Sequence, residues 1–353
     1  MKVRLGDVCD KASSSIIQKS LEKHEGKYPI YGASGLIKYV DFYQREKPYI
    51  AVVKDGAGIG RVMKLPAYSS VIGTMQYIIP NEKVDINYLV YSMEYMNLAK
   101  YFSGATIPHI YFRDYQKEPL NLPEIKVQKK IGGILSNIEK LIAFRNQELS
   151  KFDQLVKSRF IELFGDPVSN DKFWNLAILQ DVTSKIGSGA TPKGGKSSYQ
   201  KEGIPFIRSM NVHDGVFLSK DLAYLSDKQA KQLENVIVKE NDVLLNITGA
   251  SVARSCIVPK TVIPARVNQH VSIIRCIPKY LNPEFLNKLF LHHRYKNLLL
   301  SLGEAGGATR QAITKSQLEK LQIILPPLTL QNEFADFVQQ VDKSKYGEIL
   351  NAL

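Results

Sequence analysis

Cysteine is scarce: Cys9, Cys256 and Cys276 are the only three, an odd number, far apart and with no Cys-x-x-Cys pair. That argues against a disulfide framework and against a zinc site built from paired thiolates. Long apolar runs are missing too. No segment approaches the roughly twenty continuous apolar residues of a membrane-spanning helix, and the N-terminal MKVRLGDVCDK has no apolar signal core. These absences lead to the expectation of a soluble, cytoplasmic protein with no membrane association.

Signatures of catalysis are equally lacking. Ala190-Thr191-Pro192-Lys193-Gly194-Gly195-Lys196-Ser197 loosely matches a phosphate-binding loop. That loop needs a buried strand before it and a helix opening at the Lys-Ser, and neither flank reads that way. The stretch is better read as a basic loop suited to a phosphate backbone. Gly56-Ala57-Gly58-Ile59-Gly60 has the wrong spacing for a dinucleotide fingerprint and reads as a tight turn between strands. Asn282-Pro283-Glu284-Phe285 lacks the second proline of an amino-methylating motif and looks like a helix start, with Asn282 as N-cap. Glu124 and Lys126 after Asp114 make only a weak match to a metal nuclease, and the six histidines offer no ligand spacing; His292-His293 reads as helix surface. No catalytic residue and no metal ligand is assigned.

What the sequence does contain is a repeat. LPEIKVQKKI at 122–131 returns as LPPLTLQNEF at 325–334, so that Leu122, Pro123, Val127 and Gln128 recur as Leu325, Pro326, Leu330 and Gln331. Earlier landmarks keep the same order: Leu5-Gly6-Asp7-Val8 with Leu179-Gln180-Asp181-Val182, Gly56, Ala57 and Arg61 with Gly249, Ala250 and Arg254, and Ala105, Thr106 and Ile110 with Ala308, Thr309 and Ile313. A repeat this long decides the architecture before any local reading. The net charge of +13 divides between the halves, with 25 basic against 19 acidic residues in 1–176 and 22 against 15 in 177–353. A polyanion that contacts both halves would require such a spread.

Each half mixes short strands, such as Tyr49 to Val53 and Val243 to Ile247, with one helix, predicted over Asn87 to Phe102 and Pro283 to about Leu302. Both are therefore expected to be α+β domains. Between them, apolar residues step by three and four: Ile131, Leu135, Ile138, Ile142, Leu149, Phe152, Val156 and Leu163. Leu135, Ile142, Leu149, Val156 and Leu163 are seven apart, the seam of a coiled coil. About forty residues of helix would reach roughly 60 Å, a spacer. The second copy opens the same seam with Phe334, Val338 and Val341, then places Lys345 and Glu348 on it. The expectation is a fold of two similar domains separated by long coiled-coil helices in an internal pseudo-twofold repeat, with bounds 1–123, 124–166, 167–325 and 326–353. The helices are expected to pair antiparallel, and the shorter second one would leave part of the first one's seam for another chain.

Candidates for touching nucleic acid are basic residues near turns and amide or hydroxyl groups beside them. In the first half these are Lys54, Arg61, Lys64, Gln76, His109 and Arg113; in the second, Lys193, Lys196, Arg208, Ser209, Asn211, Arg254, Arg266, Asn268, Gln269, Arg310 and Gln311. Arg and Lys suit guanine, while Asn and Gln suit adenine, because two-point hydrogen bonding distinguishes base edges.

In this order, the arrangement resembles the specificity subunit of type I restriction-modification enzymes over essentially the whole chain. The strings that carry the likeness are Leu5-Gly6-Asp7-Val8, Tyr28-Pro29-Ile30-Tyr31-Gly32-Ala33-Ser34-Gly35, Gly187-Ser188-Gly189-Ala190-Thr191-Pro192, Ala308-Thr309-Arg310-Gln311-Ala312-Ile313 and Leu325-Pro326-Pro327-Leu328-Thr329-Leu330-Gln331. The resemblance implies two target-recognition domains, each reading one half of a bipartite, asymmetric site in double-stranded DNA, with helices that fix the gap. It also implies docking of two methyltransferase subunits and, in a full complex, restriction and translocase subunits. S-adenosylmethionine chemistry would then belong to the partner, and this chain would bind no cofactor. The competing reading is a coiled-coil scaffold that binds other proteins and whose basic charge is incidental.

Overall fold

The computed structural model describes residues 1–104, 108–304 and 311–351, the last six of these as backbone only. Its contacts divide the chain into two units, Met1–Gln147 and Glu148–Leu353. Each follows the same plan.

In the first unit, strands Cys9–Ser13, Met75–Pro80, Tyr49–Val53 and Val62–Leu65 lie side by side in that order, all antiparallel. Tyr49–Val53 is central and wholly buried, which is why it reads as an unbroken apolar run. Its residues alternate between faces: Ile50 and Val52 enter one core with Leu89 and Met93 of the helix Ile86–Tyr95, whereas Tyr49, Ala51 and Val53 enter another with Met75 and Tyr77. A smaller sheet orders Gly35–Val40, Tyr28–Gly32 and Ser70–Val71, the last two parallel, and Lys2–Arg4 pairs with Pro119–Asn121.

The second unit repeats this plan with additions. Thr183–Ser188, Val271–Cys276, Val243–Asn246 and Ser255–Ile257 form the main sheet, again antiparallel. Ala223–Leu225, Ile204–Ile207 and Ala265–Val267 form the smaller one, again with one parallel pair, and add Ile237–Val238 at the edge. Leu176–Ile178 pairs with Gln322–Ile324 as Lys2–Arg4 does with Pro119–Asn121. All three cysteines are buried and unpaired.

Two predicted helices are interrupted where their periodicity runs on. The first runs Ile86–Tyr95 and breaks at Asn97, which adopts a left-handed φ of 49°, before a 3-10 turn at Leu98–Tyr101. The second divides at His292 into Pro283–Leu291 and His293–Glu304. That break corrects the surface assignment of His292: its extended backbone turns the half-buried ring onto Phe160, with centroids 5.8 Å apart, while His293 stays exposed. Asn282 caps the helix as its sequence indicates, accepting hydrogen bonds from the N–H groups of Glu284 and Phe285.

The seven-residue seam lies on one continuous helix, Ile125–Phe164, and the repeated Leu-Pro leads into a second, Leu328–Asn351. The second lies antiparallel to the last turns of the first: Arg159 pairs with Glu333 at 2.8 Å, and six residues back Asp153 pairs with Lys345 at 2.7 Å. Lys345, expected to interrupt the seam, thus serves it as an ionic contact. Val156 is buried with Phe334, Val338 and Val341, but Ile138 and Ile142 are exposed and Ile131, Leu135, Leu149, Phe152 and Leu163 only partly covered. The most buried line near the end is Val156, Phe160 and Phe164, at four-residue steps. A straight helix drifts about 20° per heptad from a strict seven-residue line, which carries the seam off Leu163.

Candidate nucleic-acid interface

The glycine-rich turn Gly56–Gly60 joins two strands of the first main sheet, and Gly249–Ala253 joins the matching strands of the second. The equivalence holds bond by bond. Gly56 N–H donates to the Pro108 carbonyl at 3.0 Å and Ile110 N–H to that of Lys54 at 2.9 Å; Gly249 N–H donates to Gln311 at 2.9 Å and Ile313 N–H to Ile247 at 2.8 Å. Gly60 has a φ of 80°, and a Cβ there would lie 2.4 Å from the backbone nitrogen of Ala99. The corresponding Ala253 takes the same left-handed region at 64°.

A cleft opens at this turn in both units. The first, of about 500 Å³, is lined by Ala33, Asp55, Ala57, Gly58, Arg61 and Thr74 among others. The second, of about 640 Å³, is lined by Ser209, Thr248, Ala250, Ser251, Arg254 and His270, with Gln311. These are the same positions of the repeat. Arg61 crosses the first cleft and donates to the Ala33 carbonyl at 2.7 Å. Asp55 holds His109 at 2.6 Å and also pairs with Lys54. Beyond them, the His109 and Tyr111 rings stack at 6.4 Å, and the Arg113 guanidinium lies 4.8 Å from the Tyr111 centroid. In the second cleft Thr248 bonds His270, whose other ring nitrogen lies 3.1 Å from the Gln269 amide, and Gln269 bonds Thr191.

That last contact brings the basic loop beside the cleft. Gly189 permits it, because a Cβ there would sit 1.7 Å from the Val267 carbonyl oxygen. Lys193 and Lys196 are exposed on the loop, where Gly195–Ser198 forms one 3-10 turn in place of the helix that a phosphate-binding loop opens. Donor N–H groups, cations and stacked rings around an open cleft can neutralise phosphate and pair with base edges.

Of the candidate residues, Arg61 lines the first cleft, with Lys54 and His109 bonded to its wall residue Asp55 and Arg113 against the Tyr111 ring; Ser209, Arg254 and Gln311 line the second, with Gln269 beside His270. Four need correction, because their side chains are consumed inside the fold. Gln76 is buried and accepts from the Tyr115 hydroxyl at 2.7 Å. Asn211 is buried and satisfies the Arg208 N–H and the Leu218 carbonyl. Arg266 donates to the Ala230 and Ala265 carbonyls, and Asn268 accepts from the His270 N–H. Lys64 reaches Asn87 on the helix Ile86–Tyr95, and Arg208 reaches the Asp221 carbonyl and the Tyr199 ring. Arg310 lies outside the described residues. Asp55, Tyr111, Thr248 and His270 were not found from sequence; for Asp55 and Thr248 the signal available was their place directly before the repeated glycine turn.

Among the described residues no group of acidic, histidine and cysteine side chains could hold a metal ion, and no helix is long and apolar enough to cross a membrane. Comparison with known proteins agrees with the duplicated plan. The chain is 23% identical over 372 residues to the MjaVIII type I restriction enzyme specificity subunit of Methanocaldococcus jannaschii, covering 96% of this chain and 85% of that one. It is 22% identical over 294 residues to the MjaIX specificity subunit of the same organism, with 74% of this chain covered. It spans 63% of the length of the relatives assigned to MjaX and MjaIX. Its fold matches the crystal structure of a type I restriction-modification S subunit from M. genitalium with a TM-score of 0.71 at 14% identity, covering 100% of this chain and 92% of the other. A structure from work on assembly and conformational transition of the type I restriction-modification system matches with a TM-score of 0.52 at 17% identity, covering 98% and 91%. The family model for the type I restriction modification DNA specificity domain matches residues 1–152 and again 172–353, and the chain belongs to that family.

Proposed function

We propose that this chain is a non-catalytic DNA-reading subunit of a type I restriction-modification complex, acting in the cytoplasm. The observation that carries the reading is the pair of clefts at one position of the repeat, each with an arginine, Arg61 or Arg254, at the same place. Residues 1–123 and 167–325 each read one half of a bipartite site, and 124–166 with 326–353 fix the distance between the halves. Lys54, Arg61, Arg113, Lys193, Lys196 and Arg254 neutralise phosphates; His109, Ser209, Gln269 and Gln311 approach base edges.

Methylation of adenine with S-adenosylmethionine belongs, in this reading, to two methyltransferase subunits docked on the helices, and cleavage to further subunits. Support for that division of labour comes from the family match. A map of methylated bases tests it. Inserting seven residues near Leu141 is expected to change the gap and leave both half-sites alone; altered half-site bases would contradict the spacer role. Replacing residues 1–123 with another such domain is expected to change one half-site only.

A further inference from the structure

The two clefts share a frame but not their polar groups. Asp55, Thr74 and His109 in the first stand where Thr248, His270 and Ala312 stand in the second. The backbone fixes this correspondence: Asp55 bridges His109 as Thr248 bridges Ala312, and Val53 pairs with Met75 as Asn246 pairs with Val271. A carboxylate is out of place in a cleft that meets a polyanion, since it repels phosphate. Here Lys54 offsets its charge, and the His109 ring hydrogen-bonds its other oxygen at 2.6 Å. The Asp55 side chain remains 23% exposed, and each of its oxygens keeps acceptor capacity after those two bonds.

An ionised carboxylate only accepts. In the DNA major groove the donors are the exocyclic amino groups, N4 of cytosine and N6 of adenine; guanine and thymine present acceptors. Thr248, which stands in the place of Asp55, is a hydroxyl with both donor and acceptor capacity and imposes no such restriction. We propose that Asp55 is a specificity-determining residue of the first domain, accepting a hydrogen bond from the amino group of a cytosine or adenine, and that the second domain reads differently at the corresponding place. The assignment rests on the DNA-reading function above.

The test maps methylated sites in cells carrying the chain with its methyltransferase subunits, for the wild type and Asp55→Asn. Asn adds a donor where only an acceptor stood. At one position of the first half-site, preference for an amino-bearing base is expected to fall about tenfold, with guanine or thymine newly tolerated; the second half-site stays unchanged. The triple change Asp55→Thr, Thr74→His, His109→Ala is expected to give that position the preference of its counterpart in the second half-site. An Asp55→Asn motif identical to wild type would overturn the proposal and leave Asp55 as a brace for Lys54 and His109.

A second measurement needs no variant. The wild-type complex binds oligonucleotides in which purine replaces each adenine, or pyrimidin-2-one each cytosine, across the first half-site. A loss of about tenfold at one position is expected from the missing amino group; equal affinity at every position overturns the proposal. If the wild type marks no bipartite site at all, the DNA-reading function itself fails, a result distinct from either.

Discussion

The side-chain carbonyl of Gln128 accepts a hydrogen bond from the backbone N–H of Asp85 at 2.9 Å, and 203 residues later Gln331 accepts one from Asn282, also at 2.9 Å. Each amide nitrogen then donates twice: Gln128 to the Lys83 and Pro123 carbonyls, Gln331 to those of Tyr280 and Pro326. Both glutamines are buried. The repeated letters thus fasten the start of each emerging helix to the residue that caps the domain's own helix. Gln128→Ala or Gln331→Ala leaves a partly buried N–H and two carbonyls without this partner. Each change is expected to destabilise its unit by about 2–4 kcal/mol, read as a lower urea midpoint, whereas a loss under about 0.5 kcal/mol would show that the bonds do not hold the junction.

Phe160 is 2% exposed and lies among Phe164, Phe285, His292 and Phe334, with ring centroids between 5.0 and 5.9 Å. Phe160→Ala is expected to cost about 3–5 kcal/mol, from lost transfer energy and the cavity left behind. Leu141→Ala, on an exposed stretch of the same helix, is expected to change stability by less than about 0.5 kcal/mol. Thermal melts of the two variants separate them.

Burial, with His293 and Arg294 beside it, holds the His292 imidazole below its ordinary value of 6.5. As pH falls through 6.5 the unfolded chain takes up the proton first, so stability present above that pH is lost below it until the folded ring also protonates. The melting temperature is expected to fall between pH 7.5 and 5.5, and to fall less in His292→Leu, which keeps an apolar contact with Phe160. An equal fall in both would place the pH response elsewhere.

Arg61 and Arg254 occupy one position of the repeat, in the lining of each cleft. Removing either is expected to weaken binding of the target duplex and to reduce the slope of log affinity against log salt by about 1. Fluorescence anisotropy across a salt series measures both quantities. An unchanged slope in both variants would take these arginines off the phosphates.

Much of the architecture is legible in the letters because burial writes it there. Tyr49–Val53 and Val243–Asn246 read as strands since both faces of each are covered, and Gln128 and Gln331 recur because one polar side chain fills three bonds in each copy. The cleft is less legible. Asp55 and His270 gain their roles from loops that meet across long stretches of chain, while Gln76, Asn211, Arg266 and Asn268 carry side chains of the right type that the fold turns inward. Residue type alone does not separate an amide that reads a base from one that satisfies a backbone. His292 was misplaced because a helical pattern hides a one-residue break.

The most direct test of the central claim is a genome-wide map of methylated bases in cells that carry this chain together with its methyltransferase subunits, compared with cells lacking only this chain. One bipartite, asymmetric motif, with two specified halves separated by a gap of fixed length, is expected and should vanish when the chain is removed. A contiguous motif, or a methylation pattern that persists without the chain, would contradict the account.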